Sequence, residues 1–294
     1  MKILVIGAKG QLGHEIMMLS RSSEHEYTFA DIAGDGKDVI ALDIADPQQV
    51  KQAVSDDTDV IINCAAYNEV EKAEDDDAPA MKVNVGAVAN LAAAAKKADA
   101  LLIHFSTDYV FDGKAYVPYT EEDMTNPLNA YGRSKLAGEK AVQESGCRYM
   151  IFRTSWLYSL TGCNFFKTMA QNCAKMPSIK VVFDQVGTPT SAADLADLIM
   201  HVIDNQMLDK TGVYHYSDEG VASWYDFAKE INDQLGYTCD VKPCRTAEYP
   251  TKAVRPSYSV LDKKKVKETF GVQIPHWRES LALIVQDYLH SANL

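Results

Sequence analysis

The chain opens on Ile3-Leu4-Val5-Ile6, an apolar run that leads straight into Gly7, Gly10 and Gly13 and then into a segment of helical period near 11–20. A strand that ends in a glycine turn and continues as a helix leaves few folds open. Glycine permits the tight turn, lets backbone N–H groups approach a pyrophosphate, and lets the helix pack close to the strand. The phosphates would then face a helix N-terminus, where unpaired N–H groups and the dipole favour negative charge. With 16 glycines in 294 residues, a GxxGxxG match arises about 0.05 times by chance, which favours a nucleotide site over an ordinary turn.

The same alternation continues down the first half. Apolar, β-branched runs predict strands near 2–6, 26–31, 38–42, 59–63, 101–106 and 149–154, and helices are predicted near 11–20, 47–55, 79–98 and 129–145. Strands apolar on both faces, such as Val60-Ile61-Ile62 and Leu101-Leu102-Ile103, predict a parallel sheet covered by helices on each side. The fold class is therefore α/β, a doubly wound parallel sheet. Beyond about residue 155, Pro177, Pro189, Pro243, Pro250 and Pro256 punctuate shorter elements. A nucleotide-binding domain is expected over 1–155, completed by a return to the sheet near 179–205. A smaller, discontinuous lobe is expected at about 156–178 and 206–294.

Charge narrows the partners. There are 29 basic and 41 acidic residues, a net charge of −12, which argues against a nucleic-acid surface built on clustered Lys and Arg. No run approaches the ~18 apolar residues of a membrane span, and no secretory signal pattern precedes the first strand. A cytoplasmic protein with neither nucleic-acid nor membrane partner is expected. The six cysteines form no CxxC pair and no zinc-type cluster, and only Cys239 and Cys244 are close enough in sequence to raise a disulfide question.

Asp31 ends the second strand 18 positions after Gly13, near the spacing of the acidic residue that bonds an adenosine ribose hydroxyl. Asp31 alone favours NADH. Lys9, inside the glycine turn, could meet a 2′-phosphate, so NADPH stays open. Asp43 either caps the next helix or contacts adenine. The small residues of Asn63-Cys64-Ala65-Ala66 suit close backbone approach to a cofactor at the carboxyl edge of the sheet.

Tyr131 and Lys135 lie i, i+4 at the start of a predicted helix and project from one face. A neighbouring ammonium lowers a phenol's pKa from about 10, and such a pair can move a proton to or from a carbinol oxygen. YxxxK is weak evidence alone, and Tyr225 with Lys229 is a second match. Tyr131 is preferred because it follows the strand ending in Ser106-Thr107, whereas Tyr225 lies in an amphipathic helix of the second half. Thr107 adds a hydroxyl where open α/β sheets place ligands.

Three segments together, Gly7 to Gly13, Ser106-Thr107-Asp108-Tyr109-Val110-Phe111-Asp112-Gly113 and Tyr131-Gly132-Arg133-Ser134-Lys135, resemble the extended short-chain dehydrogenase/reductases. More narrowly, the chain resembles the dTDP-4-dehydrorhamnose reductase family. The likeness continues through Ala65-Ala66-Tyr67, Arg153 to Tyr158, Asn164-Phe165, Asp184 to Thr190 and Arg255-Pro256. It implies a Rossmann-type fold and reduction of the C4 ketone of dTDP-4-dehydro-β-L-rhamnose by NADH or NADPH, in the supply of a cell-surface polysaccharide precursor.

Thr107, Tyr131 and Lys135 would be catalytic, with Lys135 holding the nicotinamide ribose and depressing the Tyr131 pKa. The resemblance implies cofactor contacts at Gly7, Gly10, Gln11, Leu12, Gly13, Asp31, Asp43, Ile44, Ala65, Ala66, Tyr67, Tyr131 and Lys135. It implies nucleotide-sugar contacts at Asn68, Val70, Thr107, Asp108, Tyr109, Trp156, Asn164 and Arg255. Where the family has Thr, Ala, Val, Asp, this chain has Asn68, Glu69, Val70 and Glu71, so a hydroxyl contact at 68 becomes an amide. Some members dimerise through a carboxylate-held metal. Glu15 matches one ligand, but Ser291 to Leu294 lacks an acidic partner, so no metal is expected and a homodimer is left open.

Two other classes remain as alternatives. One is another nucleotide-sugar enzyme, an epimerase or a 4,6-dehydratase; Tyr109 replaces the glutamate of the dehydratases. The other is a nucleotide-binding regulatory subunit like that of methionine adenosyltransferase.

Overall fold

The computed structural model describes residues 1–292. Asn293 and Leu294, the end of the segment expected to lack an acidic metal partner, lie outside the described residues. From the N-terminus run β1 (Lys2–Ile6), α1 (Gln11–Leu19), β2 (Glu26–Asp31), β3 (Ile40–Ala41), α2 (Pro47–Ala53) and β4 (Val60–Asn63). They are followed by α3 (Val70–Asp75), α4 (Ala78–Met81), a π-helical turn (Lys82–Ala87), α5 (Val88–Ala98), β5 (Leu101–Thr107), α6 (Ala130–Ser145) and β6 (Arg148–Thr154).

The alternation predicted from periodicity is therefore present, with three local differences. The strand expected over 38–42 is only two residues long, because the Asp35 carboxylate gathers the N–H groups of Lys37 and Val39 into a turn. Helix α3 lies in a stretch with no helical expectation. The single helix expected over 79–98 is interrupted by the π-helical turn, a feature common at functional sites.

The second half holds β7 (Leu157–Tyr158), α7 (Phe165–Lys175), β8 (Ser178–Val182), β9 (Val186–Gly187), β10 (Thr190–Ser191), α8 (Ala192–Asp204) and β11 (Gly212–His215). The chain continues with β12 (Ala222–Ser223), α9 (Trp224–Gln234), β13 (Asp240–Cys244), α10 (Lys264–Phe270) and α11 (Trp277–Ala292). The central sheet has the order β11-β6-β5-β4-β1-β2-β3, with every pairing parallel. Within the stretch 179–205, β8 pairs with β13 outside this sheet, while α8 covers the sheet. The strand that joins the sheet is β11, beside β6.

Period-two strands aim alternate residues at opposite faces, and both faces are covered. Ile3, Val5, Val60, Ile62, Leu101 and Ile103 pack with Ile16 of α1, Leu195 and Ile199 of α8 and Phe270 of α10. Leu4, Ile6, Ile61 and Leu102 pack with Val50 of α2, Leu91 of α5 and Val142 of α6. Burial on both sides is why these strands read as continuous apolar runs. A separate core under α7, α9 and α11 includes Phe166, Phe227, Trp277 and Leu281. Cys239 and Cys244 are buried free thiols.

Helix α6 is set by its ends. Asn129 caps it, its Oδ1 accepting from Gly132 N at 2.7 Å, and Gly146 closes it in the left-handed conformation. A buried ion pair, Arg153 to Glu139 at 2.8 Å, ties its far half to β6.

Candidate active site

The carboxyl ends of β1, β2, β4, β5 and β6 open into one cleft of about 690 Å³. Gly7 sits at φ +78°, and a Cβ there would stand 2.6 Å from Ala65 N; one on Gly13 would stand 2.2 Å from Gly7 O. Neither position accepts a side chain. The N-cap of α1 is Gly10, with no side-chain cap on the first turn. A bare helix N-terminus behind a turn that excludes Cβ atoms fits a dinucleotide's pyrophosphate.

Asp31 and Lys9, which point to different cofactors in the sequence, are joined here. The Asp31 carboxylate accepts from Lys9 N at 3.1 Å and Ala33 N at 2.9 Å. The Lys9 ammonium donates to Ala33 O at 2.5 Å and pairs with Asp35 at 3.6 Å. Asp43 does not cap α2: that is done by Asp46, which accepts from Gln48 N and Gln49 N. Asp43 instead holds Ala45 N at 2.9 Å and lines the cleft beside Ile44.

On the next strand, Ala65, Ala66, Tyr67, Asn68 and Val70 follow β4 along the cleft wall. Asn84, in the π-helical turn, fixes this segment. Its Oδ1 accepts from Tyr67 N at 2.9 Å, and its Nδ2 donates to Tyr67 O at 3.0 Å and to Ser134 Oγ at 2.9 Å. Ser134 in turn donates to Tyr131 O at 2.8 Å. One buried amide thus locks the β4 loop to the turn of α6 that carries Tyr131. Nothing in the local sequence marks Asn84, because the π-helical register depends on packing against α6.

Tyr131 faces the cleft with its hydroxyl donating to Asn68 Oδ1 at 3.3 Å, so the amide at position 68 is in direct contact with the phenol. Thr107 Oγ1 donates to Asp108 Oδ1 at 3.0 Å and accepts from Tyr109 N at 3.1 Å. Burial pushes the Asp108 carboxyl up to about 7, against hydrogen bonds from Ser259 and Thr107. Burial also raises Tyr131, opposed by a hydrogen bond with Thr107. The expected depression of Tyr131 by Lys135 is absent: the ammonium donates to Phe105 O at 2.6 Å, and burial lowers its own pKa to about 8.

Tyr109 is pushed up to about 12 by burial, with Arg255 opposing. Arg255 lines the cleft while its Nη2 donates to Glu71 Oε1 at 2.9 Å, and Glu71 also accepts from Lys252 N at 2.8 Å. Trp156, at φ +48°, lines the same cleft, as does Trp224, which the sequence did not single out.

Gly13 and Asn164 are not among the cleft-lining residues. Gly13 acts on the turn from behind. Asn164 caps α7 through Lys167 N at 3.0 Å, and its Nδ2 donates to Gln11 Oε1 at 2.8 Å, so its amide joins the second lobe to the glycine turn. Tyr225 and Lys229 lie elsewhere; Lys229 pairs with Asp233 at 2.6 Å on an exposed face of α9.

A parallel sheet, a glycine turn open at its carboxyl edge and a Thr, Tyr and Lys set beside it define an extended short-chain dehydrogenase/reductase. The family described as RmlD substrate binding domain matches residues 1–290. A dTDP-4-dehydrorhamnose reductase of Burkholderia thailandensis is 40% identical, over 98% of this chain and 99% of that protein. Among solved structures, a dTDP-4-dehydrorhamnose reductase of Clostridium acetobutylicum matches at 42% identity and TM-score 0.90, covering 99% of this chain and 100% of that one. One from Bacillus anthracis, in complex with NADP, matches at 35% identity and TM-score 0.88, covering 97% and 99%. The chain belongs to the dTDP-4-dehydrorhamnose reductase family.

Proposed function

We propose that this chain reduces the C4 ketone of dTDP-4-dehydro-β-L-rhamnose to the alcohol of dTDP-L-rhamnose, with NADH or NADPH as reductant. The observation that carries this reading is the convergence of Tyr131, Thr107 and Lys135 on the cleft that also contains the glycine turn. A bound nicotinamide supplies the hydride. Tyr131, held protonated by burial, donates its phenolic proton to the O4 oxygen as charge develops there. Thr107 donates a second hydrogen bond to that oxygen once its hydroxyl turns from Asp108.

Lys135 keeps one N–H on Phe105 O and offers the others to the nicotinamide ribose. The backbone N–H groups at the start of α1 would hold the pyrophosphate, Asp31 the adenosine ribose, and Asp43 with Ile44, which line the same cleft, the adenosine end of the cofactor. Arg255, Tyr109, Asn68, Val70 and Trp156 hold the nucleotide sugar.

Division of labour follows the sheet. The first 155 residues with α8 and β11 bind the cofactor, and the core under α7, α9 and α11 supports the substrate lobe. At a net charge of −12, attraction for two diphosphates is local, at helix N-termini and a few placed cations. Among the described residues no helix is long and apolar enough to cross a membrane. The reading places the reaction in the cytoplasm, on a small-molecule substrate.

Following absorbance of NADH and of NADPH with dTDP-4-dehydro-L-rhamnose present tests this. Oxidation of at least one is expected; oxidation of neither would end the reading.

A further inference from the structure

The indole rings of Trp156 and Trp224 lie face to face, centroids 3.5 Å apart and planes 10° apart. Free aromatic pairs favour offset or edge-on geometry with centroids about 4.5–7 Å apart, so a near-eclipsed sandwich is imposed by the surroundings. Those surroundings form a slot. On one side a Cβ at Gly187 would stand 2.9 Å from two atoms of the Trp156 ring, so only glycine leaves room for it. On the other side Trp224 is itself backed by Phe165, with centroids 4.6 Å apart.

Both walls of the slot belong to one ladder. Gly187 in β9 pairs with Ala222 in β12, and Trp224 is the first residue of α9, immediately after β12. A capping box fixes that helix start: Ser223 Oγ accepts from Asp226 N at 3.1 Å and Asp226 Oδ2 accepts from Ser223 N at 2.9 Å. The Trp156 backbone is held as firmly. Its φ of +48° is unusual for a bulky residue, its carbonyl accepts from Thr190 N at 3.2 Å, and Ser155 Oγ donates to Thr188 O at 2.7 Å. Backbone strain of this kind concentrates where a side chain must be aimed at a ligand.

We propose that Trp224 is a positioning residue for substrate: it clamps the Trp156 indole against Gly187 so that the edge of the Trp156 ring is held in one orientation toward the sugar. Both indoles line the cleft, as do Gly7 and Gly10 after β1 and Lys135 on α6, whose ammonium is bonded to Phe105 O of β5. Loss of the clamp frees the Trp156 ring without touching the cofactor cradle. This rests on the proposed reaction, and its signature is a change in affinity for the sugar nucleotide alone.

The experiment compares wild type, Trp224→Phe and Trp224→Ala in three measurements: steady-state kinetics, NADH binding by fluorescence titration, and the exciton couplet that stacked indoles give in circular dichroism. For Trp224→Ala the expected result is loss of the couplet and a KM for dTDP-4-dehydro-L-rhamnose about tenfold higher, with kcat within about threefold and NADH affinity within about twofold. Trp224→Phe, which keeps a ring on Trp156, recovers most of the KM. An unchanged KM in Trp224→Ala with the couplet gone overturns the proposal. So does a parallel loss of NADH affinity that Trp224→Phe fails to rescue, since that marks general damage to the lobe. If Trp224→Ala does not fold, Trp224→Phe and Trp224→Leu decide: a KM equal in both to wild type overturns the role. Wild type run beside them separates the two claims, because an active wild type with an indifferent Trp224 leaves the reaction standing and removes only the clamp.

Discussion

Lys135 Nζ donates to the carbonyl oxygen of Phe105 at 2.6 Å, and this bond across to β5 holds the ammonium of a side chain one helical turn beyond Tyr131. The expected arrangement, an ammonium depressing the phenol's pKa, is replaced by one in which burial raises Tyr131 and a hydrogen bond with Thr107 opposes it. A protonated phenol suits a reaction that must deliver a proton to an alkoxide-like oxygen. The two residues share a helix face but divide the work between proton donation and cofactor holding.

Replacing the phenol tests the first task. Tyr131→Phe keeps the ring in the cleft and removes the proton, so kcat is expected to fall about 10²–10⁴-fold. NADH affinity, read by fluorescence titration, is expected to stay within about twofold. Near-normal turnover would remove Tyr131 from its role.

The second task has a pH signature. An exposed lysine keeps its charge to about pH 10.4, but burial lowers Lys135 to about 8. Affinity of the free protein for the cofactor should therefore weaken as pH rises through about 8, where the ammonium is lost. Lys135→Met should bind more weakly throughout and show no such fall. A wild-type binding curve flat across this range would contradict the assignment.

Asp108 links the site to stability. Its carboxyl is raised from 3.8 to about 7 by burial, so the native state binds that proton more tightly than the unfolded chain. The sign follows from linkage: this group's contribution is fully present below about pH 4 and is lost as pH rises to about 7. Asp108→Asn, uncharged at every pH, should remove that part of the decline. Melting temperatures of both proteins between those limits check it, and parallel profiles would show that Asp108 does not titrate there.

The glycine turn has a steric test. Gly13→Ala would place a Cβ 2.2 Å from Gly7 O, so the turn must move. A loss of about 2 kcal/mol or more in denaturant unfolding is expected, together with weaker NADH binding. Unchanged binding would mean that the turn does not cradle the cofactor.

Much of this was legible because it is local. The apolar runs of β1, β4 and β5, the three glycines, Thr107 at a strand end and the Tyr131 and Lys135 spacing all lie within windows of a few residues. What was missed depends on contacts distant in sequence. Strand β11 is chosen by β6, some 60 positions earlier, and β8 by β13. Asn84 acquires meaning only when a π-helical turn sets it between Tyr67 and Ser134. Asn164 spends its amide on a helix cap and Gln11, and Trp224 reaches the cleft through a ladder with β9. Lys135 stands out by its spacing from Tyr131, but its partner, a backbone carbonyl on β5, carries no sequence signal.

The most direct test of the central claim follows the hydride. With NADH or NADPH carrying two deuterium atoms at nicotinamide C4 and dTDP-4-dehydro-L-rhamnose as substrate, the account predicts stoichiometric cofactor oxidation and dTDP-L-rhamnose labelled at sugar C4, read by nuclear magnetic resonance. An epimerase would return hydride to a sugar without net consumption of cofactor. An unoxidised cofactor, or a product with no deuterium at C4, would contradict the account.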